Sequence, residues 1–186
     1  GLDGICAEYA AKALFDAKGN ADEVHTFLQN AADSKQMQLR AKLLHQLTVK
    51  DKTDLKADIL EQHIQLAPAQ GDLPEEIYIP YLLSPRVEHE TLTAFRQGLL
   101  DAFSAEQKEL FAADPHQLWA WILQHISSND DREYGSLTTT PNALLKVGYG
   151  SHNSKKVLFT AICRTIGVPA RINPETHAVQ FYRDGS

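Results

Sequence analysis

The sequence predicts an α-rich α+β fold. Apolar residues recur at helical spacing over most of the chain, and cap-plus-proline pairs mark helix starts at Ser84–Pro85, Asp114–Pro115 and Thr140–Pro141. Strand-like segments are confined to "PARIN" and "AVQFYRDG", after Pro169. Many helices and one small sheet follow.

The N-terminal part reads as three or four helices. Ile5, Tyr9, Ala13 and Leu14 form the first apolar stripe, Gly19 ends it, and Asn20 can cap a second helix through Val24, Phe27 and Leu28. Met37, Leu39, Leu43, Leu44 and Leu47 give a third stripe. Thr53 can cap a fourth, with Leu55, Ile59, Leu60, Ile64 and Leu66 on its buried side. "APAQGDLPEE", residues 67–76, holds two prolines and a glycine and is the expected linker. This divides the chain into a helical region, 1–68, and a second domain, 76–186.

In the second domain, helices are expected after Ser84–Pro85, over "HQLWAWILQHI" after Asp114–Pro115, and over "NALLKV" after Thr140–Pro141, the last ended by Gly148. Glu88, His89 and Glu90 are expected on a solvated helix face. Asp130, Asp131 and Arg132 fall in a polar loop. Residues 152–166 form one more helix, with Val157, Leu158, Ala161, Ile162 and Ile166 facing the core and Ser151, Asn153 and Ser154 available as caps. Trp119 and Trp121 lie on opposite sides of their helix, so one can pack in the core while the other faces a groove.

Composition narrows the function classes. With 186 residues, 43% of them hydrophobic, the chain can bury a sizeable core. The net charge is −6 and Lys and Arg are scattered, which argues against nucleic-acid binding. No apolar run is long enough to span a bilayer, and the start at Gly1 has neither a basic nor an apolar leader. Cys6 and Cys163 lie far apart, so neither a disulfide framework nor a cysteine-based metal site is expected.

The string "GYGSHNSKKVLFTAICRTIGVPAR", residues 148–171, resembles the transglutaminase-like superfamily, the papain-type fold of transglutaminases and related bacterial peptidases and amidases. "GYG" at 148–150, the apolar helix with Arg164, and "GVPAR" at 167–171 carry the resemblance, with "IYIPYLLSPRVEHETLTAFR" and "TTTPNALLKVGYG" as the lead-in. It covers roughly Leu55 onward and leaves the first 50 residues uncovered. The implied core is helical with a small antiparallel sheet, incomplete at the C-terminus of this chain.

The resemblance also places the chemistry. Active members carry a nucleophilic cysteine at the helix start, which corresponds to residue 152, lying 15 before Gly167 and two after Gly150. A helix N-terminus suits a thiolate, because free N–H groups and the positive end of the dipole lower its pKa. His152 stands there instead. Cys163, eleven residues deeper in the last turn, is read as a buried structural thiol. Cys6, in "GICAEYA", looks like a cysteine motif but has no "GVPAR"-like turn after it, and is read as one residue of an amphipathic helix. His177, in "THAVQFYRDG", matches the family's catalytic histidine near a strand start, but no further strand before Ser186 supplies an orienting partner.

The expectation is therefore a degenerate site with His152 and His177, and no catalytic residue assigned. Tyr149, Ser151, His152, Asn153 and Trp121 are the expected binding residues. No metal or cofactor is expected, since two imidazoles without a third ligand make poor metal sites. The expected role is a non-catalytic binding or scaffolding module of a larger protein, holding a peptide, protein or glycan-linked ligand. The resemblance implies a bacterial envelope setting. The alternatives are a peptidase, amidase or acyltransferase with an altered triad, and a purely structural helical module.

Overall fold

The computed structural model describes residues 3–128 and 138–186. The polar loop with Asp130, Asp131 and Arg132 lies outside the described residues. The fold is α+β and helix-rich, and it divides into two compact units, Gly1–Gln65 and Leu66–Ser186.

In the first unit, α1 (Gly4–Asp16), α2 (Ala21–Gln29), α3 (Ser34–His45) and α4 (Val49–Asp54) lead into α5 (Ala57–Leu66). Asp3 and Asp33 cap α1 and α3, while Thr48 and Asp51 form a reciprocal capping box on α4. The stripe on α1 is one residue out of the expected phase: Cys6, Ala10, Ala13 and Ala17 are buried and Ile5 is 59% exposed. Two caps also differ. Asn20 gives its side-chain amide to the Lys52 and Leu55 carbonyls at 3.0 and 2.9 Å, tying α2 to α4 rather than capping. Thr53 lies inside α4, and α5 starts at Ala57, whose N–H donates to Glu23 at 2.7 Å.

Two ion pairs brace this unit. Arg40, itself buried, makes two bonds to Glu61 at 2.6 and 2.9 Å, and Lys52 reaches Asp16 at 3.0 Å. Hydrogen bonds from Arg40 hold the Glu61 carboxyl below its ordinary 4.5, and those from Lys12 and Lys52 lower Asp16.

The second unit is built around one helix. Its elements are α6 (Glu75–Tyr78), a π-helical turn (Ile79–Leu83), α7 (Phe95–Ala102), α8 (Ala105–Ala113), α9 (Pro115–His125), α10 (Pro141–Val147), α11 (His152–Ile166), β1 (Ala170–Ile172) and β2 (Val179–Phe181). Helix α11 touches α7, α8, α9, α10, both strands and the π-helical turn. Such a position demands an apolar surface nearly all round, and Val157, Leu158, Phe159, Ala161, Ile162 and Cys163 are all buried there. The strands pair antiparallel, Ala170 opposite Phe181 and Ile172 opposite Val179.

Local sequence explains the helix limits. Asp114 caps α9 with Pro115 in its first turn; Pro141 opens α10, where Thr140 makes no side-chain cap bond. Gly148 and Gly167 end α10 and α11 with φ of 73° and 98°, left-handed values that favour glycine.

Residues 84–94 depart from expectation, because no helix forms until Phe95. The carbonyls that a helix would use are taken by arginines. Arg164 donates to Ser84 O and Arg86 O at 2.8 and 2.7 Å, Arg86 donates to Glu90 O at 2.6 Å, and Arg96 donates to Leu82 O and Leu83 O. Glu90 is therefore not on a solvated helix face. It is 4% exposed and accepts the Val87 and Glu88 N–H groups at 3.1 and 3.0 Å. Burial lowers the Arg96 and Arg164 guanidinium groups to about 9 and about 10, so both stay cationic at neutral pH.

Candidate functional site

Helix α11 begins as its sequence dictates. Ser151 is the N-cap: its Oγ accepts the Ser154 N–H at 3.0 Å, and its carbonyl accepts the Lys155 N–H at 3.1 Å. The N–H groups of His152 and Asn153 have no partner among the described residues, which leaves two donors at the positive end of a 15-residue helix. The approach chain is fixed as well. Ser127 N–H donates to Gly148 O and Gly150 N–H to Ser127 O, both at 3.0 Å, pairing Ser127 with Tyr149.

Around this start, loops converge on the polar side chains of the first turn. Asn153 donates to Glu88 and, at 3.2 Å, to Thr138, while Ser154 Oγ accepts the Thr139 N–H at 3.0 Å. Lys155 is buried and donates to Ser128 Oγ at 2.8 Å. Ser151, Asn153 and Ser154 are thus engaged in capping and tethering. His152 is exposed, and Tyr149 is 45% exposed.

The aromatic beside His152 is Trp119, whose ring meets the imidazole edge to face at 5.7 Å and Phe159 at 5.8 Å. Trp121 faces different partners. It stacks on His125 at 4.2 Å and meets Phe103 edge to face at 5.0 Å. The two tryptophans do lie on different sides of α9, with Trp119 at the start of α11.

His177 sits in the turn between the strands. Asn173 organises that turn, its side-chain oxygen accepting the Glu175 and Thr176 N–H groups and its carbonyl accepting the His177 N–H at 2.8 Å. His177 adopts a left-handed φ of 57° and is exposed. Lys156, one turn beyond His152 on the same helix, donates Nζ to the His177 carbonyl at 2.6 Å. The turn is thereby tied to the beginning of α11. No hydrogen bond joins the two imidazoles.

Neither thiol is exposed. Cys163 is fully buried in the last turn of α11, and burial pushes its thiol well above the ordinary value. Cys6 is buried in the first unit. Among the described residues no three His, Cys, Asp or Glu side chains stand together as a metal site, and no helix is long and apolar enough to cross a membrane.

Sequence reading missed Glu88, Trp119 and Lys156 as neighbours of this site. Only Trp119 left a signal, through its opposition to Trp121. Glu88 lies 65 positions from Asn153, and Lys156, although one turn from His152, carries no local sign of its bond to the His177 carbonyl 21 residues on.

Comparison with curated proteins and with solved structures gives no match. The family model described as the transglutaminase-like superfamily matches residues 98–180, which runs from α7 through α11 into β2. Residues 98–180 therefore form a domain of the transglutaminase-like superfamily.

Proposed function

We propose that this transglutaminase-like domain is non-catalytic and holds a peptide segment at the start of α11, as a binding module of a larger protein. One observation carries the proposal. The exposed residue at the first position of α11 is His152, while Cys163 is buried near the other end of the helix with its thiol held protonated.

Thioester chemistry needs a thiolate in reach of substrate. An imidazole offers no equivalent sulfur. What the helix start retains is recognition capacity: the free His152 and Asn153 N–H groups can donate to a peptide carbonyl, and Trp119, with His152 against it, gives a flat apolar wall. The turn tied down by Lys156 brings His177 to the same helix as a further polar neighbour. A bacterial cell-envelope setting rests on family resemblance alone.

The test uses N-acetyl-Gln-Gly amide and a primary amine with the intact protein. Saturable shifts of the Trp119 indole and His152 ring NMR signals, without formation of amide product, are expected, and Trp119→Ala should abolish the His152 shift. Amide product, or a Trp119 signal indifferent to the peptide, refutes the proposal.

A further inference from the structure

A cavity of about 450 Å³ opens between the π-helical turn and the β1–β2 hairpin. Its volume is in the range of small-molecule sites. Ile77, Tyr81, Val179, Phe181 and Tyr182 supply apolar and aromatic walls, and among the described residues Arg171 is the one charged side chain lining it.

Arg171 is held rather than loose. Its Nε donates to Gln180 Oε1 at 2.8 Å, its Nη1 donates to the Tyr81 hydroxyl at 3.3 Å, and its guanidinium carbon lies 5.4 Å from the centre of the Tyr81 ring. Gln180 and Tyr81 line the cavity too. These bonds use two of the five guanidinium N–H groups, so the Nη2 pair and one Nη1 N–H have no partner among the described residues. Among the described residues no acidic side chain lines the cavity to neutralise the charge.

A preoriented guanidinium with its outer edge free matches a carboxylate, which it can grip through two parallel hydrogen bonds. The walls favour burial of an apolar group attached to that carboxylate. One cation selects one negative charge.

We propose that this cavity binds a monoanionic carboxylate carrying an aromatic or branched aliphatic group, either a free acid or the last residue of a peptide. The site is independent of the start of α11 and of the function proposed for it. Arg171 and Gln180 sit opposite each other in the hairpin register, so pairing of the strands orients the ligand's anchor.

Calorimetric titration of the full chain tests this with N-acetylphenylalanine, its amide, and the tripeptide Gly-Gly-Phe with a free carboxylate. The acid should bind at least about tenfold more tightly than the amide, the size expected from a charge-assisted hydrogen bond. Arg171→Gln should remove that preference. Gln180→Glu should remove it as well, by pairing the guanidinium internally while keeping the Nε bond, and a thermal melt verifies that this variant folds. A tripeptide as tight as the acid assigns the site to chain ends, and a weaker one assigns it to free acids. Absence of saturable binding by the acid, equal affinity for acid and amide, or a preference that survives Gln180→Glu overturns the proposal.

Discussion

His152→Cys should create a thiol far more acidic than an ordinary one. The helix dipole at such a terminus contributes about 0.3–1 kcal/mol in favour of an anion, and one hydrogen bond from a free N–H to a thiolate about 1.5–3 kcal/mol. Together these give about 2–4 kcal/mol. At 1.36 kcal/mol per pKa unit, an ordinary value of about 8.5 falls to about 5.5–7. The donor needed is present, because the Ser151 cap satisfies the N–H groups of Ser154 and Lys155 but not those of His152 and Asn153. Burial of Cys6 and Cys163 lets the variant be made in the otherwise native chain, with alkylation located by peptide mapping. The assay is the alkylation rate of residue 152 against pH. An apparent pKa at or above about 8.5 would refute an open, donor-bearing helix start.

Three further outcomes concern stability. Leu158→Ala, at a fully buried position of α11, should cost about 2–5 kcal/mol, read from the urea midpoint. Arg164→Gln should cost about 3 kcal/mol or more, since the Ser84, Arg86 and Ala170 carbonyls lose their donor, and hydrogen exchange should rise over residues 84–90. The Glu61 carboxyl is depressed below 4.5 by Arg40, so its contribution is present above that pH and is lost as pH falls through the folded-state value. The urea midpoint of the first unit should therefore drop in that window, and Glu61→Gln should flatten the drop.

Much of the second domain was legible because its signals are local. A serine cap, an apolar stripe and a glycine delimit α11 at 152–166, and the two strands follow in order. Residues 84–94 were not legible. Ser84–Pro85 has the chemistry of a helix start, but Arg164, 80 residues away, holds the Ser84 carbonyl. Nothing in the local pattern reports that contact. The phase of α1 failed for a related reason: small residues pack closely against α3, so Cys6 and Ala13 are inside while the larger Ile5 stays out. At the site, spacing separated Trp119 from Trp121 but could not assign either a neighbour, since that depends on how α9 lies against α11.

Mass spectrometry of the intact protein after incubation with an activated glutamine ester tests the absence of a nucleophile most directly. An acyl group retained by the native chain would reveal any residue able to form a covalent intermediate, and hydroxylamine sensitivity would mark a thioester. Unmodified protein is the expected result, with adduct appearing only after His152→Cys. A stoichiometric adduct on the native chain, mapped to Ser151, His152, Ser154 or Cys163, would contradict a non-catalytic domain.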